Sequence, residues 1–492
     1  MEGHIVKLRL AFLISTAALT GSCAGLPFPG SGPAPGEAIS QQERQQGAQA
    51  HTQLLQQFGD AYSGSQSAYV VRVGQRIAVQ SGLSNAQNDF TVTLLNSPVN
   101  NAFALPGGYV YITRNLVGLM NSEAELASVM GHEVGHVAAR HSSRRQSTST
   151  ITQILALGLG ILTGSGDIAN LAGQAAQLYT LRYSRSQEYE ADELGITYLM
   201  RGGYNPFAAA DMLASLAAQT TLDARVAGRN ARSLPEWAST HPDPGQRVSR
   251  ARTQARERGA VEGQGTSGRD TFLSAIDGML YDDDPAQGVI DGNTFLHPDL
   301  RLQFTVPQGY TMQNGTSAVV VTGPNGQAQF GGGQSSASLG DYVGQVFRQL
   351  GGNNQRINYG NVRSGTVNGL PSAQATARIA SGSNQVDVTV TAYDFGSNRK
   401  YHFLTVTRAG QGIGPFGSML GSVSRLSASE AAAIRPRVID VVTVQRGDTI
   451  SGLASRMAYS NYREERFRVL NALGSSDTLR AGQRVKLVVY GR

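Results

Sequence analysis

The stretch Ser122–His141 reads SEAELASVMGHEVGHVAARH, and it indicates how the surrounding domain folds. Its apolar residues recur every three to four positions, and it opens with a serine followed three residues later by glutamate. These two features predict a capped amphipathic helix. His132 and His136 are four residues apart and lie on one face of that helix. Both imidazoles can therefore reach one tetrahedral zinc ion, with Glu133 beside them as a general base.

Two histidines leave such a zinc ion one protein ligand short, because a catalytic site usually has three protein ligands and an open position. The third ligand is expected from a second helix, which contains the sequence RSQEYEADELG at residues 185–195. Glu188 and Asp192 share a face of this helix, so one carboxylate can bind the metal while the other orients a ligating imidazole. Spacing alone also allows Glu190 or Glu193 as the ligand.

Four motifs in this order resemble those of the HtpX-like and BepA-like zinc peptidases, the metallopeptidase family that also includes the CAAX prenyl protease. They are NAFALPGG at 101–108, the HEVGH helix, EYEAD at 188–192, and STHP at 239–242 with Arg247 after it. The resemblance implies a zinc metalloendopeptidase with one zinc ion per chain, Glu188 as the third ligand and Asp192 as its neighbour. It also implies that His241 and Arg247 lie in the cleft, where they could stabilise a developing oxyanion. In some relatives the histidine corresponding to His241 is described as able to bind the metal and block water.

Two further expectations concern the surroundings of the metal. His141 is expected to be a capping or surface residue rather than a ligand. A β-prone run follows the Pro-Gly-Gly breaker and is expected to form the strand along which an unfolded polypeptide lies by β-augmentation. This predicted substrate strand consists of Tyr109, Val110, Tyr111 and Ile112.

The N-terminus and the composition indicate an exported chain of several domains. At 492 residues the chain is too long for one ordinary core. Its net charge is +6, but its basic residues are scattered and do not suggest nucleic acid as a partner. An apolar run, Leu10–Leu19, and small residues precede the one cysteine, Cys23, as in the lipobox of bacterial lipoproteins. The expected location is the periplasm, with a lipid on Cys23 as the membrane anchor.

The last fifty residues resemble a LysM module, which binds N-acetylglucosamine polymers such as peptidoglycan. Their patterns follow the order strand, helix, helix, strand. The resemblance implies peptidoglycan as a partner, with Gly447, Asp448, Thr449 and Asn471 as its candidate contacts. Before this module, alternating apolar runs and Asn-Gly turns predict an α+β domain in which nothing suggests catalysis.

The expected fold is a multidomain α+β protein. Its expected parts are a signal peptide (1–23), a Pro/Gly linker (24–40), a mainly helical zincin-type peptidase domain with a small edge sheet (41–255), a second linker (256–294), an α+β domain of unknown role (295–435) and a small βααβ LysM-like domain (440–490).

The expected function is a zinc-dependent endopeptidase of the bacterial envelope that degrades misfolded or unassembled envelope proteins. The alternative is a non-enzymatic, peptidoglycan-binding envelope lipoprotein or chaperone-like scaffold with an occluded metal site. Glu133 argues against the alternative, because a purely structural site needs no general base.

Overall fold

The structure is a computed structural model that describes residues 36–141, 183–226, 241, 244–315, 318–351, 356–381 and 384–491. The predicted signal peptide with Cys23, most of the 24–40 linker, and residues 239, 240 and 242 of the STHP motif lie outside these ranges. Within these ranges, no helix combines the length and the apolar character needed to cross a membrane.

The described residues between 36 and 257 form a mainly helical unit around a three-stranded sheet. The strands are β1 (Thr91–Leu95), β2 (Ala102–Leu105) and β3 (Tyr109–Thr113). The helices are α1 (Gln41–Gln57), α2 (Gln66–Ala78), α3 (Arg114–Leu119), α4 (Glu123–Ala138), α5 (Arg185–Arg201), α6 (Ala208–Val226) and α7 (Pro244–Glu257). Helix α4 is the helix predicted from the HEVGH stretch, and the serine before it accepts a hydrogen bond from the backbone of its first turn.

The two faces of this sheet are covered by different helices, because side chains alternate along a strand. Val110 and Ile112 of β3 pack with α2 and α4 in the main core. Tyr111, which points to the opposite face, packs against Leu54 of α1. Helix α4 is thereby held against the sheet through its apolar residues, such as Met130 and Val134.

Strand β3, which contains the predicted substrate strand, lies in the middle of the sheet. The strand order is β1-β3-β2, with β1 parallel and β2 antiparallel to β3. A central strand has no free edge with which to pair a bound polypeptide. The expectation for Tyr109, Val110, Tyr111 and Ile112 is therefore corrected. Within the described ranges, β2 pairs only with β3, so its other edge is not paired with a strand there.

The segment 256–294, expected to be a linker, contains regular structure. It holds α8 (Arg269–Ile276), β4 (Leu280–Tyr281) and β5 (Val289–Asp291). Phe272, Leu273 and Ile276 of α8 are fully buried in the main core. The segment thus packs against the helical unit along much of its length.

The part that follows is rich in β-structure. Its elements are β6 (Thr294–His297), β7 (Leu302–Thr305), β8 (Thr311–Asn314), β9 (Val319–Gly323), β10 (Gly326–Gln334), α9 (Leu339–Gly351), β11 (Arg363–Val367), β12 (Leu370–Ser381), β13 (Asn384–Asp394), β14 (Arg399–Arg408), α10 (Gly417–Ser422), β15 (Ser424–Arg425) and α11 (Ala428–Ala433). A seven-stranded antiparallel sheet has the order β11-β12-β13-β14-β10-β9-β8, and a smaller sheet has the order β15-β7-β6-β5. One face of the large sheet packs on α9, and an aromatic core fills the space on the other side.

The C-terminal module has the predicted βααβ order. It consists of β16 (Arg437–Thr443), α12 (Ile450–Ala454), α13 (Arg463–Leu470) and β17 (Arg484–Tyr490). Strand β16 pairs with β17 and also with β4. Ile439, Phe467 and Val488 of the module belong to the same buried cluster as Val110 and Met130 of the helical unit. The module and the helical unit therefore share one hydrophobic core.

Candidate metal centre

Glycine residues let α4 and α5 approach each other closely. A Cβ atom at Gly135 of α4 would lie only 3.0 Å from the carbonyl oxygen of Ala191. On α5, a Cβ atom at Gly195 would lie 3.1 Å from the backbone nitrogen of His132. The two helices consequently pack backbone to backbone, and this contact brings the HEVGH face opposite the first turns of α5.

Four buried side chains direct possible ligand atoms to one point, namely His132, His136, Glu188 and His241, and these atoms all lie within 4.8 Å of one another. The Nε2 atoms of His132 and His136 are 3.0 Å apart, and they lie 3.6 Å and 3.5 Å from the oxygens of Glu188. Nδ1 of His241 lies 3.3 Å from Nε2 of His132 and 3.1 Å from Oε1 of Glu188. Ligand atoms about 2.0–2.2 Å from a tetrahedral zinc ion are spaced by roughly 3.3–3.6 Å. The donor set therefore fits zinc.

Hydrogen bonds behind the two HEVGH imidazoles determine which nitrogen faces this point. His132 donates from Nδ1 to Asp192 at 3.0 Å, which leaves Nε2 with a lone pair. Nδ1 of His136 lies 2.8 Å from Nδ1 of His141, whose Nε2 lies 3.0 Å from a carboxylate oxygen of Glu190. Because the carboxylate only accepts, His141 donates to Glu190 and accepts from His136. Burial also lowers the pKa of His136 well below its usual value, so both inward-facing nitrogens can bind a metal.

Glu133 is buried beside this group. Its side chain is 1% exposed, and neither carboxylate oxygen has a hydrogen-bond partner within the described ranges. Burial raises the pKa of this carboxyl, although the nearby charges of His241 and His132 act in the opposite direction. Burying a polar group without a partner costs stability. Such a group is expected where a lone pair has to be kept available for proton transfer.

Arg247, predicted to face the cleft, instead binds the two carboxylates of α5. Its Nε and Nη2 atoms donate to Asp192 at 2.8 and 2.6 Å, and its Nη1 atom donates to Glu188 at 2.5 Å. Burial alone would raise the pKa of both carboxyls. The charge of Arg247 keeps the pKa of Asp192 below its usual value, and His241 and Arg247 together do so for Glu188. Arg247 thus orients the carboxylates with three of its five N–H bonds, and the expectation that it also contacts an oxyanion stays a prediction.

The two other carboxylates that spacing allowed as ligands lie away from the donor group. Glu190 is half exposed and contacts His141, and Glu193 forms an ion pair with Arg250 at 2.7 Å on the surface. Both point away from the α4 contact because they lie on a different face of α5 from Glu188.

Sequence reasoning missed two residues beside the site. His141 is completely buried rather than at the surface, because Arg140 adopts a left-handed conformation (φ 51°) and turns the chain back after α4. The ring of Tyr183 stacks on His136, with 3.7 Å between the ring centroids. The spacing of His136 and His141 was a usable signal for the first residue. For Tyr183 the sequence offered no signal.

In the C-terminal module, the four predicted glycan contacts all have roles in the fold. Gly447 has a φ of 95°, and the Asp448 side chain accepts a hydrogen bond from the backbone at the start of the same turn. Thr449 caps α12. Asn471 is 4% exposed, and its amide is hydrogen-bonded to the backbone of α13 and β17. Asn471 is therefore inside the module, whereas the other three lie on its surface loop.

Residues 64–255 match the model of Peptidase family M48, and residues 442–488 match that of the LysM domain. The chain is 33% identical over 198 residues to the beta-barrel assembly-enhancing protease of Yersinia pestis, and 32% identical over 198 residues to that of Escherichia coli K12. Each match covers 38% of this chain and 39% of the relative. The mitochondrial metalloendopeptidase OMA1 of Schizosaccharomyces pombe is 30% identical over 210 residues, covering 42% of this chain and 59% of the relative.

The chain thus spans about two fifths of the length of the first two relatives. The two family matches confirm the predicted resemblances, a peptidase-type region followed by a LysM-type module.

Proposed function

We propose that this protein is a zinc-dependent endopeptidase of the bacterial envelope that cleaves unfolded or unassembled envelope polypeptides. The observation that carries the proposal is the group of four converging donor atoms with the buried carboxylate of Glu133 beside it, which lies 3.6 Å from Nε2 of His241 and has no hydrogen bond within the described ranges. The match to Peptidase family M48 supports it, as do the names of the relatives, a protease and a metalloendopeptidase. A structural metal site would have no use for a buried carboxylate of this kind.

His132, His136 and Glu188 would hold the ion, and zinc would supply the Lewis acid for amide hydrolysis. Glu133 acts as the proton carrier. Its carboxylate accepts a proton from the water that attacks the scissile carbonyl carbon, and it delivers this proton to the departing amine. Asp192 holds the ring of His132, and Arg247 holds the carboxylates of Asp192 and Glu188. The ligands are therefore oriented by their own hydrogen bonds.

The unpaired edge of β2 is the proposed binding site for an extended polypeptide. Ala104 and Leu105 of β2 line a small cavity together with His136 and Tyr183, so this edge borders the metal centre. The backbone of Thr113 donates to the carbonyl of Asn101, and antiparallel pairs alternate, so the polar backbone groups of Ala104 point away from β3. Pairing through backbone groups does not depend on the side chains of the substrate, but it requires an extended segment with free backbone groups. This requirement favours unfolded substrates.

The proposed location and partners rest on the two ends of the chain. A lipid on Cys23 would tether the enzyme to a membrane in the periplasm, and the LysM-type module would bind peptidoglycan. Two of the relatives are named for enhancing β-barrel assembly, and this supports unassembled envelope proteins as the substrates.

Replacement of Glu133 by glutamine tests the proposed chemistry. Glu133→Gln should retain zinc, because the ligands are unchanged, and should lose casein cleavage by about 10²- to 10⁴-fold, because its proton carrier is gone. Zinc content and casein cleavage are measured on the purified chain. His136→Ala is the matched control and should lose both. Cleavage by Glu133→Gln at the wild-type rate would contradict the mechanism, and zinc binding without cleavage by the wild type would favour the non-enzymatic alternative.

His241 is proposed to act as a brake on this site. Its Nδ1 atom occupies the fourth position of the donor group, and a fourth protein ligand excludes the catalytic water. His241→Ala should therefore raise the basal rate of casein and short-peptide cleavage. A fall of about 10²-fold in both rates would instead identify His241 as a donor to the oxyanion. Unchanged rates would exclude both roles.

A further inference from the structure

Lysine is rare in this chain and, where the structure describes it, buried. Of the 41 basic residues, only Lys7, Lys400 and Lys486 are lysines. Lys400 is 4% exposed and Lys486 is fully buried. Lysines are almost never buried unless their charge is compensated. The partners of a buried lysine therefore indicate why it is there.

Lys486 lies on β17 of the C-terminal module, but its ammonium group reaches the helical unit. Nζ donates to the carbonyl oxygens of Gly118 at 2.7 Å and Leu119 at 3.1 Å, and also to that of Met120. These carbonyls end α3, where a helix leaves acceptors unsatisfied and where its dipole favours a positive charge. Nζ thus has three carbonyl acceptors, the number that the three N–H bonds of an ammonium group can use. Burial lowers the pKa of Lys486 well below its usual value, and the nearby charge of Glu125 acts in the opposite direction.

The module holds this lysine in place through Asn471. The backbone nitrogen of Lys486 donates to the Asn471 side chain at 2.7 Å, and the Asn471 amide donates to the carbonyl of Lys486 at 2.9 Å. A second contact runs in parallel: Arg269 of α8 donates to the carbonyls of both Asn121 and Arg484. The module is thus joined to the residues between α3 and α4 at two points.

The anchored carbonyls lie immediately before the helix that carries the metal ligands. The backbone of Asn121 donates to the carboxylate of Glu125, and Ser122 caps α4. His132 lies nine residues into this helix, about 14 Å from its start at 1.5 Å per residue. A shift at the start of a helix displaces the side chains further along it, and catalytic geometry tolerates little displacement.

We propose that Lys486 is a positioning residue for the metal-site helix and that the LysM-type module is part of the peptidase scaffold. The ammonium group of β17 holds the start of α4, and through α4 it holds His132 and Glu133 in their places. The consequence for cleavage rests on the proposed function. The consequence for α4 does not, because the order of a helix can be measured in a chain without activity.

Hydrogen exchange on the full-length chain tests the proposal. Lys486→Met keeps an unbranched side chain that is one atom shorter and leaves three carbonyls without this donor. Loss of hydrogen bonds to a charged group should speed exchange about ten- to a hundredfold in residues 118–136. Lys400→Met is the matched control, because Lys400 also donates from a buried site to a carbonyl, that of Ser335, in the β-rich part. This control should leave exchange in residues 118–136 unchanged.

Native-state exchange on the wild-type chain covers the case in which Lys486→Met does not fold. As urea rises, residues 118–125 and 484–490 should lose protection in the same opening step. The proposal is overturned if residues 118–125 stay protected after 484–490 have opened, or if folded Lys486→Met exchanges like the wild type in residues 118–136. In a chain that cleaves casein, Lys486→Met should also lower kcat more than it raises KM. Absence of cleavage by the wild type would contradict the proposed function and leave the exchange result decisive.

Discussion

His141 contacts the metal site only through another residue, yet its position bears on how firmly that site holds zinc. It accepts a hydrogen bond from Nδ1 of His136 and donates one to Glu190, so it sets both the tautomer and the ring orientation of His136. Partners of this kind behind metal ligands typically contribute ten- to a hundredfold to metal affinity.

Replacement of His141 by alanine should therefore weaken zinc binding by about ten- to a hundredfold. Affinity is measured by competition with a chromogenic chelator. Glu190→Gln is the milder companion, since it keeps an acceptor beside His141. Equal zinc affinity in His141→Ala and the wild type would show that the ring of His136 is held by other contacts, such as its stacking with Tyr183.

At the level of residues, the sequence predicts the members of the site better than their roles. The spacing within HEVGH and the shared face of Glu188 and Asp192 are local properties of a helix, so they can be read directly. The role of Arg247 depends on how α7 packs against α5, and the burial of His141 depends on a turn after α4. Such tertiary features leave no periodic pattern in the sequence.

Among the elements, β3 differs most from its sequence-based interpretation. The run at residues 109–112 has the stronger β-propensity, but propensity reports burial on a pleated surface rather than a place at the edge. The more strongly β-prone strand, β3, lies at the centre of the sheet. The less β-prone strand, β2, lies beside the metal centre and has the unpaired edge.

An ester scan of a cleavable peptide tests whether substrate pairs with this edge. Replacing one backbone amide by an ester removes a single N–H donor, and at a position paired with β2 this should raise KM by about tenfold with little change in kcat. Esters placed beyond the paired segment serve as controls. If no position in the peptide responds, the backbone of the substrate does not pair with β2.

The segment 256–294 shows that sequence patterns can also fail to predict a buried helix. Its many glycines and acidic residues suggest a linker, but α8 places Phe272, Leu273 and Ile276 in the main core. A helix of eight residues is too short for apolar periodicity to stand out against its polar surroundings.

On the scale of the whole molecule, the sequence predicts which modules are present but not which of them pack together. The βααβ module and the peptidase region are recognisable separately because each has its own pattern of strands and helices. Their common core joins residues more than 300 positions apart, such as Met130 and Val488. The local sequence pattern of neither segment predicts such a long-range contact.

The contact between Lys486 and the end of α3 joins residues that are synthesised at very different times. Strand β17 follows every other described element along the chain, so the ribosome adds Lys486 some 350 residues after the HEVGH helix. During translation the nascent chain already contains every proposed zinc ligand, but the anchor of their helix has not yet been made. We therefore expect the helix that carries His132 and Glu133 to reach its final order only after residue 486 has been synthesised.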